Sequence, residues 1–407
     1  MNRRPILIAL LLALAVSPAL AHDGHVDAGT VSGQHVDGWW KGNTHTHTWW
    51  SDGDSPPESV AQWYRDRGYH FLVLSDHNRM QEGELWYAVD TDAKRSALRH
   101  YVATFGQDWA ETRQRAGVTE VKLKTLDEFR SLFEEKNRFV FIRGMEITDR
   151  HHQHPVHLNG VNLERAIIPQ GGDSVAQMLQ KNIDAVVEQG RRAGRPMFAH
   201  VNHPNFFYAI TAEDLIALEH APGDGFVEVY NGHSGVRNDG DAFHPSTERL
   251  WDIVLAQRLG ERGASVMYGV ATDDAHEYTA WGLRRVNPGR GWVMVRAPRL
   301  TPDTITAAMK RGDFYNSTGV TLATLVTGPG ASSSKCSRNP AWTTGSSSSG
   351  HAAGPTCAAR SRCNRRRIRP VARRSGTAMK SASCWRALRA PAHATTSAAT
   401  KSTCEHA

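Results

Sequence analysis

Between residues 38 and about 328, short apolar runs alternate with stretches that carry helix-start signals. That alternation predicts an α/β fold built on a largely parallel sheet. Five runs read as strands: 69–74, 138–144, 196–200, 225–230 and 265–271. They are apolar along most of their length, so the sheet is expected to be buried on both faces. Helix starts between them are marked by Ser55-Pro56-Pro57-Glu58, Thr125-Leu126-Asp127-Glu128, Thr211-Ala212-Glu213-Asp214 and Thr301-Pro302-Asp303. Each places a capping side chain ahead of acids or prolines in the first turn, where N–H groups lack partners. The segment 79–114 is an insertion rich in Trp, Tyr and charge, expected to be helical, lying between two strand ends where it can form a lid. Its aromatics are expected to serve packing.

The pattern stops after Pro329, where Ser, Ala, Arg, Thr and Cys dominate without a period of 2 or 3.6 residues. Such a segment builds no packed core. A natural basic tail and out-of-frame translation after a frameshift near residue 330 both account for it. The abruptness and five unpatterned cysteines (Cys336, Cys357, Cys363, Cys384, Cys404) favour the frameshift. The preceding segment therefore has no thiolate ligand or cysteine nucleophile, which suits an oxidising compartment. At the other end, Arg3 and Arg4, the apolar run 6–16 and Ala19-Leu20-Ala21 form a secretory signal with a mature start at His22. The apolar run is shorter than the roughly 20 residues a spanning helix needs, so no stable membrane span is expected after cleavage. The expected division is a signal peptide at 1–21, a His- and Gly-rich linker at 22–37, a catalytic barrel at 38–328 and a tail at 329–407.

Charge changes meaning once the tail is set aside. The net +7 comes from 48 Lys and Arg against 41 Asp and Glu, but residues 331–407 hold 14 of the bases and only one acid, Glu405. Removing them leaves 34 bases and 40 acids in residues 1–330, a net of −6. An acidic body gives no charge-based reason to expect nucleic-acid binding.

The chemistry gathers at strand ends. His45-Thr46-His47 places two imidazoles at i and i+2, on one side of an extended strand, with Asp52 in the Gly-containing turn just beyond. The run 69–74 ends in Ser75-Asp76-His77, where His77 is the candidate ligand and Asp76 orients it or a neighbour. The run 138–144 leads to Glu146, a carboxylate able to bridge two cations. His157 is preferred to His154 because an apolar run follows it, and the next strand delivers His200 and His203. The last strand delivers Asp274 and His276, again at i and i+2. Strand ends of one polarity thus carry imidazoles and carboxylates five times, without sulfur. That donor set suits Zn, Mn or Fe, and Mg less well among so many imidazoles.

The ordered set His45-Thr46-His47 with Ser51-Asp52-Gly53, Ser75-Asp76-His77, Gly144-Met145-Glu146-Ile147, His203-Pro204 and Asp274-Ala275-His276 resembles the polymerase and histidinol phosphatase (PHP) domain family over roughly residues 38–320. The resemblance implies a distorted (β/α)7 TIM-like barrel holding two or three divalent metal ions. It implies one ion on His45, His47, Glu146 and Asp274, a second on Glu146, His157 and His203, and a third on Asp52, His77 and His276. Glu146, Asp274 and His276 are expected to carry the catalytic step, with His233, Arg237 and Arg284 as candidate contacts to a small phosphorylated substrate. The expected function is an exported, periplasmic phosphoesterase. Alternatives are a metal-dependent amide or ester hydrolase on the same barrel and a periplasmic metal-binding protein without turnover.

Overall fold

The computed structural model describes residues 38–328 and 331–336. The signal peptide and linker assigned to 1–37, and the tail from 337 on, lie outside the described residues. The strands are β1 (Trp39–Asn43), β2 (Phe71–Leu74), β3 (Trp86–Val89), β4 (Thr112–Arg115), β5 (Val118–Lys122), β6 (Val140–His151), β7 (His154–Val161), β8 (Phe198–Val201), β9 (Gly225–Asn231), β10 (Tyr268–Thr272), β11 (Trp292–Arg296), β12 (Phe314–Ser317), β13 (Leu322–Gly328) and β14 (Ala331–Cys336). The helices are α1 (Pro57–Asp66), α2 (Asp92–Phe105), α3 (Leu126–Phe129), α4 (Val175–Ala193), α5 (Ala212–Ala217), α6 (Thr247–Leu255) and α7 (Pro302–Lys310). None among the described residues is long and apolar enough to cross a membrane.

Nine strands form one sheet in the order β10-β9-β8-β7-β6-β2-β1-β11-β12. Seven of them (β1, β2, β6, β8, β9, β10 and β12) run one way, and β7 and β11 run against both of their neighbours. The expected α/β class and its seven co-directional strands are present, but the sheet is mixed rather than largely parallel. β7 returns straight from β6 through a two-residue turn, which only an antiparallel partner permits. The sheet curls until β12 meets β10, and there a side chain stands in for a ladder. Asn316 accepts from the Ala271 N–H (3.0 Å) and donates to the Gly269 carbonyl (2.7 Å), nearly closing the barrel.

Phe71, Phe198, Phe226, Tyr268 and Phe314 come from five strands and pack into one cluster, with Phe198 and Phe226 stacked at 4.1 Å. Gly42 leaves the space this needs, since a Cβ there would lie 2.2 Å from the Phe71 ring. Outside the sheet, α4 buries Val175, Met178, Leu179, Ile183 and Val186, a stripe at helical spacing. All four predicted helix starts open helices, and Thr125, Thr211 and Thr301 each form a capping box.

The insertion is only partly helical. It holds α2, but also β3 and most of β4, which with β5 just beyond its end form a three-stranded sheet in the order β3-β5-β4. Its aromatics do serve packing: Tyr87 stacks on Trp49 at 4.6 Å, and Tyr101 and Trp109 both donate to the buried Glu58 carboxylate. The insertion thereby backs the turn that follows His47. At the other end, the expected boundary at 328 falls inside a hairpin, because β13 pairs antiparallel with β14.

Replacing Asn316 with Ala orphans one backbone N–H and one carbonyl at the barrel seam. Asn316→Ala is expected to lower stability by about 2–3 kcal/mol in urea denaturation followed by tryptophan fluorescence. An unchanged midpoint would mean that the seam does not depend on this side chain.

Candidate metal centre

The centre begins where β1 ends. Asn43 Oδ1 accepts the His45 N–H (2.9 Å), and Thr46 turns the other way, donating its hydroxyl to the Val73 carbonyl (2.8 Å). His45 and His47 are therefore left on the same side, both fully buried. On β6, the Glu146 N–H donates to the Ser75 carbonyl (3.1 Å), which sets the end of β2 and its His77 beside the carboxylate. Gly144 permits this approach, since a Cβ there would lie 2.4 Å from Val73 and 2.7 Å from the Gly160 carbonyl oxygen.

Glu146 is 1% exposed and faces five imidazoles. Its Oε1 lies 3.2 Å from His157 Nδ1, 3.4 Å from His45 Nε2 and 3.6 Å from His203 Nε2. Its Oε2 lies 2.6 Å from His77 Nδ1 and 3.6 Å from His47 Nε2. Asp274 Oδ1 is 3.2 Å from both His45 Nε2 and His47 Nε2, and 3.6 Å from His276 Nδ1. Asp52 closes the outer side, 3.4 Å from His276, 3.5 Å from His47 and 3.5 Å from His77. All nine ligand candidates are thus in one cluster.

Three subsets have donor atoms close enough to share a cation: His45, His47 and Glu146; His77, Glu146 and His157; and His47, Asp52, His77 and His276. A second observation tests the fit. His45 Nε2, His47 Nε2, Glu146 Oε2 and His157 Nδ1 are all buried without a hydrogen-bond partner. Buried polar atoms are rarely left so, and nitrogen and oxygen donors converging in this way fit divalent cations.

Burial would depress the His45 imidazolium, but Asp274, Glu228 and Glu146 outweigh it and hold it well above the usual range. Burial is likewise overcome at His77, which Glu146 and Asp52 raise to about 11. His47 goes the other way, pushed down to about 3 by burial and by His276. Burial would raise Glu146, yet His77, His157 and His45 hold it well below the carboxylate range. The carboxylates thus favour the imidazolium form of His45 and His77 but not of His47.

Glu228 was not singled out among the candidate residues. It accepts from His45 Nδ1–H (2.7 Å), the Thr272 hydroxyl (2.6 Å) and the His203 N–H (2.7 Å). The bond at His45 Nδ1 fixes the ring's orientation and turns Nε2 toward Glu146 and Asp274. A lone acid inside the apolar run Gly225-Phe226-Val227-Glu228-Val229 is the signal that could have found it. Asn202 is a second such residue, donating to Glu146 Oε1 at 2.7 Å.

Asp76 holds neighbours rather than His77. It accepts from the Thr48 N–H (2.7 Å), the Ser51 hydroxyl (2.7 Å) and Gln81 (2.7 Å), anchoring the turn that carries Asp52. His203 lies at Glu146, whereas His200 lies behind, 3.8 Å from Glu228. His157 faces Glu146, and His154 is exposed near the hairpin tip. His233 stands at the mouth with its ring 5.6 Å from His276. Arg237 and Arg284 are exposed, and neither is ion-paired with the cluster's carboxylates among the described residues.

No protein-family model and no curated protein matches the chain. Among solved structures it is similar to a two-domain protein from Bacteroides vulgatus containing a predicted PHP-like metal-dependent phosphoesterase, with 15% identity and a TM-score of 0.37 over 69% of this chain and 64% of that one. The chain thus spans somewhat under two thirds of that protein. It is also similar to an amidohydrolase from Chromobacterium violaceum with bound sulfate and no metal, with 14% identity and a TM-score of 0.31 over 58% of this chain and 88% of that one.

Two outcomes follow from this geometry. At pH 7 the metal-free His45 and His77 carry a proton that a ligand must give up, so adding Zn or Mn is expected to release about two protons per chain. Calorimetry in buffers of differing ionisation enthalpy reads this number, and release of none would contradict the pairing described. Glu228→Gln is expected to weaken metal affinity by about 10- to 100-fold, measured by competition with a chromogenic chelator.

Proposed function

We propose that this chain is a metal-dependent hydrolase of phosphate esters, exported to the periplasm. The observation that carries the catalytic reading is the Glu146 carboxylate, buried among five imidazoles with unpaired donor atoms converging on it. The residues that would hold divalent cations are His45, His47, Asp52, His77, Glu146, His157, His203, Asp274 and His276. Bound there, such ions supply an activated water near neutral pH and neutralise charge developing on phosphoryl oxygens. Asp52, Glu146, Glu228 and Asp274 have no Lys or Arg ion-pair partner among the described residues. An anionic substrate therefore depends on the cations for attraction.

The protein's own groups set the rest. Asn202 pins one Glu146 oxygen and is itself bonded to Asn159 at 2.9 Å, so the bridging carboxylate cannot rotate freely. Asn231 donates to Asp274 Oδ2 at 3.0 Å and leaves Oδ1 to face the imidazoles. His233 Nδ1 accepts the Gly235 N–H at 2.9 Å, and burial pushes the ring's pKa down. The neutral ring therefore carries its proton on Nε2, and His233 is suited to hydrogen-bond the oxygen that leaves, which takes its proton from water. Export is supported by Arg3, Arg4, the apolar run and the Ala19-Leu20-Ala21 cleavage pattern.

The test is elemental analysis of the purified chain beside hydrolysis of p-nitrophenyl phosphate and nucleotides, with Glu146→Ala in parallel. Two or more ions per chain are expected, with phosphate release lowered at least about a hundredfold in the variant. Metal without phosphate release redirects the assignment to amide and ester substrates. A folded chain that binds no metal ends the proposal. His233→Gln is expected to lower kcat by about a hundredfold with little change in metal content, and least for substrates whose leaving group needs no proton.

A further inference from the structure

Behind His203, the turn after β8 carries Phe206, Phe207 and Tyr208. The Phe206 ring stands edge-on to His203 at 5.1 Å and to His233 at 5.5 Å. Phe207 continues outward, its ring 4.6 Å from that of Phe206 and 74% exposed. A connected path of rings thus runs from two ligand candidates, His203 and His276, through His233 and Phe206 to solvent at Phe207.

The backbone under this path is costly. Phe207 and Tyr208 have φ of 54° and 52°, a left-handed conformation that bulky residues rarely adopt. The turn is held there by its surroundings. Phe206 N–H donates to the His203 carbonyl at 2.8 Å, and Asn205 Nδ2 donates to the Arg237 and Pro245 carbonyls, both at 2.9 Å. Tyr208 stacks on His244 at 3.7 Å. A glycine would occupy position 207 without strain, and a ring left three-quarters exposed gains little from folding. The turn thus holds an exposed apolar ring one ring away from His203 and His233.

We propose that Phe206 and Phe207 are specificity determinants, forming a wall that receives a planar aromatic group carried on the leaving oxygen of a phosphate monoester. The proposal rests on the phosphoesterase reading for the reaction. Its recognition element stands on the rings alone. A flat group leaving the cations would meet the Phe206 edge and then Phe207, in the edge-to-face or offset contacts that aromatic pairs prefer. His233, wedged between Phe206 and His276, would lie beside the bond that breaks. Attack by water at phosphorus breaks the P–O bond to the aryl-bearing group and yields inorganic phosphate. The leaving oxygen accepts a hydrogen bond from His233 Nε2–H and takes its proton from water.

The test uses the full chain loaded with Mn. Calorimetry compares phenylphosphonate with methylphosphonate, which bind without turnover, and kinetics compare 2-phenylethyl phosphate with butyl phosphate, whose leaving groups are of similar basicity. Phenylphosphonate is expected to bind about tenfold more tightly, and the kinetic preference for the phenyl substrate is expected mainly in KM. Both ratios should collapse toward one in Phe207→Ala and Phe206→Leu and persist in Phe207→Tyr. Phe207→Gly removes the ring without backbone strain and gives the same answer if the Ala variant folds poorly. Equal binding of the two phosphonates by the wild type, or ratios unchanged in the variants, would overturn the proposal. A ring preference in binding, lost in the variants, with neither ester hydrolysed would keep the aromatic wall and remove the phosphoesterase reading.

Discussion

A carboxylate sealed inside a protein is expensive unless its charge is met, and Glu146 is sealed almost completely. Much of the surrounding structure answers that requirement. Five imidazoles face its two oxygens, and Asn202 takes the remaining near position on Oε1. His45 and His47 are in turn oriented from behind by Glu228 and Ser51. The missing side chain at Gly144 lets β2, β6 and β7 come close enough for this ring of groups to form. The same arrangement that makes the buried charge tolerable also concentrates donor atoms suited to divalent cations.

The barrel supplies the geometry. Because seven strands point one way, their ends deliver side chains to one mouth, and the loops that follow are open to solvent. Strain collects at this mouth. Asp274 sits at φ 49° and His203 at φ 27°, and Phe207 and Tyr208 follow a few residues after His203. Such conformations persist only where neighbouring contacts enforce them, and here hydrogen bonds from Asn231, Glu228 and Asn205 do so.

Local signals were legible from the chain itself. The capped helix starts at Thr125, Thr211 and Thr301 depend on side chains within four residues, and each formed as read. The five apolar runs all became strands, with ends shifted by a few residues. β7 was missed because His154-Pro155-Val156-His157 reads as a polar stretch, yet it pairs along its whole length with β6. β11 was missed as well, although Trp292-Val293-Met294-Val295 is an apolar run that β1 and β12 hold in place. The insertion looked helical because its charges and aromatics suit either state, and packing on Trp49 and Trp50 selected strands for part of it.

The sequence by itself determined which atoms could form a metal centre. His45 with His47, and Asp274 with His276, are paired by the two-residue repeat of extended chain, a property of local backbone geometry. The chain fold decided what could not be read locally. It chose His203 over His200 for Glu146. It set Glu228 behind His45, which is 183 residues away in sequence. Hydrogen bonds of that range depend on how strands are ordered and how the barrel closes, and no local pattern in a single chain encodes that order.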